Sequence, residues 1–329
     1  MLLLVTGVGA GLAMGYALQR TKLALHGSFA GLPDRIPRVF RTWLLAVMIG
    51  VLGLTAVFAS DMWPQLSRGL PFRPLPNIVG GLLLGFGMVL AVTTASGLFY
   101  NLGSGAVTCL VGLVGFMAGD AIGGWFEFPG DKGVLAAGEG ATLPGVLDVP
   151  HWSVAVPLAV VVILALAFWP VSPEAPRARD QLGWVVGGTV LGLALVGAWI
   201  LAGVGGHDFG PNTEGFVSSL IRGQPDEWEG SFVVALIPGA AAAALLASSW
   251  SLSRAHAGRL LRLFVGGLLL GLGGQIAGGC NLGHGLSGVA QLSLSSWLVV
   301  AAIVGGIMGG RRVLTVTEAE LHEMGDRLG

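Results

Sequence analysis

An apolar helix interrupted by a cluster of glycines constrains this chain more than any other feature. From Val265 the sequence reads VGGLLLGLGGQIA, and it then enters Gly278–Gly285, where four of eight positions are glycine. Each glycine costs a helix about 1 kcal/mol relative to alanine, so we expect the helix to break there. Apolar residues resume at Val289 and continue to Gly310. Irregular backbone between two membrane-length apolar segments is tolerated only where protein buries it or where it borders a cavity.

The composition favours a membrane protein. Of the 329 residues, 53% are hydrophobic and only 11% are charged, whereas about 25% are charged in a typical soluble domain. The formal net charge of −1 gives no reason to expect a nucleic-acid partner. Two cysteines cannot form a disulfide framework, and the sequence shows no metal cluster, no nucleophile–base pair and no nucleotide motif. We therefore expect no metal, no cofactor and no enzymatic activity.

Nine apolar stretches predict crossings of the lipid bilayer, separated by polar loops. They are Leu2–Leu18, Thr42–Ala59, Ile78–Val92, Ala106–Gly123, Trp152–Trp169, Leu182–Leu201, Ser231–Trp250, the segment that begins at Val265, and Val289–Gly310. Leu23–Leu32 is apolar but short, which favours a re-entrant or interfacial piece. The predicted fold is thus an all-α polytopic membrane protein with about nine transmembrane helices plus short re-entrant helices.

The chain also contains an internal repeat. Val79–Gly85 and Val265–Gly271 both read VGGLLLG, at an offset of 265 − 79 = 186 positions. The flanking apolar stretches match at nearly the same offset. Each copy contributes an even number of crossings and Trp152–Trp169 adds one between them, so the second copy should be inverted. Inverted repeats that meet at broken helices are a transporter design. We predict a first repeat over 1–123, a linking region over 124–181, a second repeat over 182–310 and a cytoplasmic tail over 311–329.

The placement of arginine and lysine predicts the orientation of the chain in the membrane. The loops rich in these residues are expected to be cytoplasmic: Gln19–Arg41, Pro170–Asp180, Ser251–Leu263 and the tail from Arg311. Gly124–His151 and Gly203–Gly230 are acidic and poor in arginine, so we expect them to face outward. This arrangement puts the N-terminus outside and the C-terminus in the cytoplasm.

Three stretches of the sequence resemble the YeeE/YedE family of sulfur-compound transporters. Gly278–Gly288, GGCNLGHGLSG, is similar to the C-terminal signature of the family, and Leu18–Phe29 and Leu84–Gly105 resemble its N-terminal and middle motifs. The resemblance implies a protein of the bacterial inner membrane that passes thiosulfate or a related sulfur anion into the cytoplasm. It also implies a cytoplasmic sulfur-carrier protein of the TusA type as a partner.

The chain departs from the family at two cysteine positions. The resemblance implies that cysteines of three motifs border the path and hand the substrate along. Here Cys280 matches, but Ala24 and Thr94 stand at the other two positions. Either one thiol and hydroxyl groups suffice, or the substrate differs.

Nine residues are candidates for the substrate pathway, and each also has a purely structural interpretation. They are Cys280, Asn281 and His284 in the second break, Thr93, Thr94 and Ser96 at the mirrored position, and Gln19, Lys22 and His26 after the first crossing. A thiol, amides and hydroxyls are neutral donors that bind an anion weakly enough to release it. Alternatively, the cysteine is a small buried hydrophobe, the other neutral groups satisfy backbone freed by the breaks, and the lysine is an orientation signal.

Three functions fit these observations. The first is a permease for a small sulfur anion such as thiosulfate, the second a related permease for another sulfur or selenium species, and the third a membrane scaffold without transport. Asp120 is the only acidic residue found inside the predicted crossings, which argues against a pump built on a carboxylate relay. We expect that Asp120 only caps the turn that follows it.

Overall fold

The computed structural model describes residues 1–23, 38–168, 181–253 and 257–314, and these residues form a helical membrane protein. In chain order the helices are α1 (Leu2–Thr21), α2 (Arg38–Ala59), α3 (Pro74–Ala91), α4 (Ala95–Gly103), α5 (Cys109–Gly123), α6 (Leu143–Val146), α7 (His151–Phe168), α8 (Trp184–Gly205), α9 (Phe216–Ile221), α10 (Glu227–Leu246), α11 (Ala257–Ala277) and α12 (Leu294–Leu314). The all-α fold predicted from the sequence is confirmed.

Eight described helical segments are long and apolar enough to cross a bilayer, counting α3 and α4 together as one segment. Helix α5 is apolar but has only 15 residues. The predicted crossings coincide with described helices, α5 among them, to within about five residues, except that α11 begins at Ala257, eight residues before the predicted start at Val265. The number of crossings, about nine, stays a prediction, and the predicted re-entrant stretch Leu23–Leu32 lies almost entirely outside the described residues.

Glycine allows the central helices to pack with their backbones in contact. In α1, a Cβ atom added at Gly11 would lie 2.2 Å from the carbonyl oxygen of Phe232, and one at Gly15 would lie 2.2 Å from that of Leu236. Both carbonyls belong to α10, so the two helices touch along two successive turns. Inside lipid the hydrophobic effect does not drive helices together. Small residues allow the backbones to approach closely, and the resulting van der Waals contacts stabilise the helix pair.

The main helix contacts are reciprocal between the two halves of the chain. Helix α1 packs against α10 while α8 packs against α2, and α3 packs against α12 while α11 packs against α5; α3 and α11 also pack against each other. If α1, α2, α3 and α5 correspond to α8, α10, α11 and α12, exchanging the halves reproduces this set of contacts. The pattern is what a two-fold relation would produce, and the inverted repeat with its four predicted regions stays a prediction.

The first break lies between α3 and α4. Val92 ends α3 in the left-handed region, with φ of 56°, and the Thr94 hydroxyl then caps α4 by accepting a hydrogen bond from the N–H of Gly97 at 3.0 Å. The interruption between α3 and α4 is therefore only three residues long, from Val92 to Thr94. A helix that the sequence did not suggest runs through Gly97, because the threonine cap offsets the poor helix propensity of the glycine.

The second break is also more ordered than expected. Helix α11 ends at Ala277, and Gly278 and Gly279 follow with φ of 83° and 158°. Gly283–Gly288 then forms a π-helical turn, although this glycine-rich stretch was predicted not to be helical. The prediction was wrong there because tertiary contacts override propensity: the indole of Trp43 donates to the carbonyl of Gly285 at 2.7 Å, and the whole turn is buried.

Candidate functional site

The two breaks meet, and one side chain joins them. The amide nitrogen of Asn281 donates to the Ser96 hydroxyl at 2.9 Å, and its amide oxygen accepts from the Ser96 backbone N–H at 3.3 Å. Both residues are buried. The first N–H groups of a helix have no partner within the helix and must bind elsewhere. Asn281 accepts from one of these N–H groups at the start of α4. Residues that lie 185 positions apart in the chain form one constriction.

The threonines of the first break hold the backbone of that break. The Thr94 hydroxyl accepts the hydrogen bond from Gly97 that caps α4, and it lies 3.4 Å from the Ser96 hydroxyl. The Thr93 hydroxyl accepts from the Asn101 amide at 3.4 Å. Both threonines are buried. The three predicted hydroxyl groups therefore lie together at the break, and they also satisfy backbone and side-chain groups there.

Cys280 is buried directly after the second break, against the loop that follows α8. The Thr213 hydroxyl donates to the Cys280 sulfur at 3.0 Å, and the Asn212 amide oxygen lies 3.5 Å from the same sulfur. The backbone N–H of Leu282 also points at this sulfur, at 3.3 Å. Asn212 and Thr213 are not among the nine candidate residues, but they are side chains that contact the thiol. The sulfur of Cys280 thus has two donors, the Thr213 hydroxyl and the Leu282 N–H, and one acceptor, the Asn212 amide oxygen.

Both ring nitrogens of His284 have partners. Nδ1 lies 2.9 Å from the Ser296 hydroxyl, and Nε2 lies 3.1 Å from the carbonyl oxygen of Ala277. The ring therefore connects the last residue of α11 to the first turn of α12, across the break. This geometry matches the structural interpretation of the histidine, which holds the loop that carries Cys280.

Of the three candidates that follow the first crossing, Gln19 is the most informative. Its side chain is only 1% exposed, and neither its amide oxygen nor its amide nitrogen has a hydrogen-bond partner among the described residues. A buried amide without a partner costs free energy unless something polar binds it. Lys22 ends α1 in the left-handed region and is half-buried. His26 lies outside the described residues.

Three buried carboxyl groups lie beside the second break, and the sequence interpretation missed their burial. Asp120 accepts hydrogen bonds from the Gln275 amide and from the backbone N–H of Val217 at 3.0 Å, so it joins three elements and does more than cap its own helix. Glu214 and Glu229 are only 5% and 9% exposed. The sequence placed both in an outward loop, although the position of Glu229 one turn before an apolar run was a signal that it could be buried.

A cavity of about 540 Å³ opens next to this region. Its walls include Arg73, Arg222 and Gln275, so two cations border it. The Arg73 guanidinium pairs with Asp131 at 3.0 Å and lies against Gly278, where its position leaves no room for a side chain. The cavity thus reaches the beginning of the second break from one side of the bundle.

Two discontinuous helices that meet inside an apolar bundle, with neutral donors at their ends, define a class of membrane transporters. Within this class, the chain belongs to the sulphur transport family, whose family model matches residues 33–309. The resemblance to YeeE/YedE proteins is thereby confirmed, and the chain is a multi-pass membrane transporter and not an enzyme.

Two relatives are similar over most of their length. The thiosulfate transporter TsuA of Spirochaeta thermophila is 30% identical over 317 residues, which cover 89% of this chain and 93% of the relative. The thiosulfate transporter TsuA of Escherichia coli is 24% identical over 336 residues, covering 93% of each chain. A shorter match, 32% identical over 88 residues, joins 26% of this chain to 22% of the probable transporter YedE of Escherichia coli.

Proposed function

We propose that this protein passes a small sulfur-containing anion, with thiosulfate as the first candidate, through the constriction at the two breaks. The observation that carries the proposal is the contact between Asn281 and Ser96, which brings both breaks together beside the only thiol that the family signature supplies. Family membership and the names of the two full-length relatives support the substrate class.

The pathway begins in the cavity bordered by Arg73 and Arg222. Asp131 and Glu127 border the cavity as well, and Asp131 pairs with Arg73, so we assign the attraction of the anion to Arg222, an effect that salt weakens. From there the anion meets the region of Cys280 and its partner Thr213. Arginine attracts the substrate at the entrance, while neutral donors handle it inside, where a full charge would hold it too tightly.

Within the constriction the nine candidate residues divide by role. We assign direct contact with the substrate to Cys280, Thr93, Thr94, Ser96 and Gln19. The hydroxyls of the first break accept hydrogen bonds within the protein and so can donate their own hydrogens to an anion, and the Gln19 amide has no partner among the described residues. Asn281 and His284 are positioning residues, because their polar atoms are engaged in hydrogen bonds that hold the breaks together. Lys22 and His26 stay assigned to the entry or exit of the anion at the end of α1.

We further propose the bacterial inner membrane as the location, with the N-terminus outside and the C-terminus in the cytoplasm. The arginines and lysines of the loops support this orientation. A TusA-like carrier protein is proposed as the cytoplasmic partner, and Arg259 and Arg262 of α11, on the predicted cytoplasmic side, are candidates for its docking surface.

Uptake of radiolabelled thiosulfate by membrane vesicles tests this function. Vesicles with the wild-type protein should accumulate more label than empty vesicles, and Cys280→Ala should reduce uptake strongly. Cys109→Ala is the matched control, since Cys109 is also a free buried cysteine but lies at the start of α5. Wild-type uptake equal to that of empty vesicles would exclude thiosulfate transport and favour the scaffold.

A competition panel then identifies the substrate. Unlabelled thiosulfate should compete best if the one thiol suffices. Stronger competition by sulfite, by a persulfide or by selenite would instead favour the related permease whose substrate changed along with the two cysteine positions.

A further inference from the structure

Glu214 and Glu229 are buried carboxyl groups without partners. Both carboxyl oxygens of Glu214 and one of Glu229 are fully buried and have no hydrogen bond among the described residues. The Glu229 carboxyl lies 3.8 Å, and the Gln275 amide 3.9 Å, from the place where a Cβ would stand at Gly215. Glu214 directly precedes Gly215 in the chain, and its carboxyl packs against Gly274, the residue before Gln275, so both glutamates lie close to Gln275 beside the second break.

Asp120 provides the contrast within the same region. Its carboxylate receives hydrogen bonds from Gln275 and from the backbone of Val217, which stabilise a negative charge. In the described part of the chain no donor reaches the buried oxygens of Glu214 and Glu229, and an ionised carboxylate buried without donors is far more costly than a neutral carboxylic acid. The buried carboxyl oxygens of the two glutamates are thus better suited than those of Asp120 to hold protons.

The other titratable groups around the two glutamates reinforce this difference. Asp120 and Cys280 face Glu214, and Asp120 and Asp226 face Glu229, so the neighbours that interact with them are negative when ionised. Of the nearby cations, Arg222 is exposed and reaches Ser218, Arg73 pairs with Asp131, and His207 pairs with Asp226. Within the described ranges, neither glutamate forms a salt bridge, and no cluster of ligands with metal-binding spacing includes them.

Glu214 is also coupled to the path of the substrate by position. It directly follows Thr213, whose hydroxyl binds the Cys280 sulfur, and its carboxyl packs against Gly274, one turn before the break in α11. An anion at Cys280 and an ionised Glu214 would repel each other strongly in a medium of low dielectric constant. The anion can therefore occupy this position only when Glu214 is protonated.

We propose that Glu214 and Glu229 each bind one proton that crosses the membrane together with the substrate anion. The inference rests on the proposed function and adds its driving force. Protons from the water on the side of the Gly203–Gly230 loop convert the carboxylates to carboxylic acids, the anion enters, and both protons leave on the other side with it. Two protons and one doubly charged thiosulfate carry no net charge, so the cycle is electroneutral.

Proteoliposomes with an imposed pH gradient test the proposal. One pH unit corresponds to about 1.4 kcal/mol per proton, so two coupled protons should raise steady-state accumulation of labelled thiosulfate about 100-fold per unit. A membrane potential set with potassium and valinomycin should not change it. Glu214→Gln or Glu229→Gln should reduce the response to about tenfold per unit, since glutamine mimics a permanently protonated acid. Glu227→Gln is the matched control, because Glu227 is exposed on the same helix turn as Glu229.

Two further measurements separate this inference from the proposed function. Exchange of labelled against unlabelled thiosulfate at equal pH needs no driving force, so in the wild-type protein it measures transport separately from proton coupling. Wild-type exchange without any response to the pH gradient would overturn the proton sites and leave transport standing. Independently of transport, infrared difference spectra of the purified protein should show a protonated carboxyl band at neutral pH that Glu214→Gln diminishes. An unchanged band in both glutamine variants contradicts the proposal.

Discussion

The hydrogen bonds between Asn281 and Ser96 are expected to contribute measurably to the stability of the fold. They connect the second break to the start of α4, and in both directions the partner atoms are buried. Asn281→Ala removes both bonds at once. It leaves the backbone N–H of Ser96 without its partner, while Ser96→Ala removes only the hydroxyl and keeps the backbone bond.

The size of the effect follows from these two losses. A side-chain hydrogen bond between membrane helices contributes about 0.6 kcal/mol on average and about 1.7 kcal/mol at most. An unsatisfied buried N–H adds about 1–3 kcal/mol. We therefore expect Asn281→Ala to lower the free energy of unfolding by about 2–4 kcal/mol and Ser96→Ala by about 1 kcal/mol. The double variant should lose less than the sum of the two, by about 0.6–1.7 kcal/mol.

Denaturant unfolding of the purified protein in detergent measures all four corners of this cycle. Ser104→Ala serves as the control partner, since Ser104 is also buried on α4 but bonds to the carbonyl of Asn101 and not to Asn281. Its cycle with Asn281→Ala should be additive to within about 0.5 kcal/mol. If the Ser96 cycle is equally additive, the two breaks do not hold each other and the constriction as described is wrong.

Three more outcomes are expected. Gly15→Val should destabilise the protein by about 1–3 kcal/mol, because the new side chain would clash with the backbone of α10. Gly197→Ala should not, because a Cβ atom there meets nothing within 4 Å. Thermal unfolding in detergent compares the two variants. Trp43→Phe should cost about 1 kcal/mol in the same assay, because it removes the donor to the π-helical turn. Although burial alone would lower the pKa of His207, the hydrogen bond and charge of Asp226 raise it, and the pKa of Asp226 is lowered in return against its own burial. The pair therefore stabilises the fold near neutral pH, and a melting-temperature series should show that advantage over His207→Gln disappear as the pH rises through the raised pKa or falls through the lowered one.

The sequence predicted the elements that depend on local hydropathy and turn chemistry. The crossings coincide with observed helices because runs of apolar residues must satisfy their backbone internally in lipid. The position of the second break, at Gly278, is where two residues with positive φ end α11. The π-helical turn and the short helix α4 were not predictable in this way. The π-helical turn depends on a distant partner, the indole of Trp43, and the amide of Asn281 adds to the Thr94 cap at the start of α4.

In the candidate site, too, local sequence identifies some residues, whereas the roles of others depend on contacts with residues distant in the chain. Cys280 and the hydroxyls at the first break could be proposed from the sequence, since breaks expose backbone and collect small polar residues. The roles of Asn281 and His284 could not, because a side chain that binds substrate and one that holds the loop have the same local sequence. Only the partner atoms distinguish the two roles, and for both residues these atoms belong to the protein.

The buried glutamates show that the side of the membrane on which a loop lies and the depth to which it enters the protein are separate properties. Counting the charged residues of a loop predicts the side of the membrane on which the loop lies, but not how deeply the loop enters the helical bundle. Residues of the acidic Gly203–Gly230 loop contact Cys280, so part of a loop assigned to the outside reaches the constriction. The burial of Glu214 and Glu229 leaves the proposed orientation intact, because arginine and lysine determine sidedness while acidic residues contribute little. It does remove the argument against proton coupling, which counted carboxyl groups only within the predicted crossings and not in the loops that fold back between them.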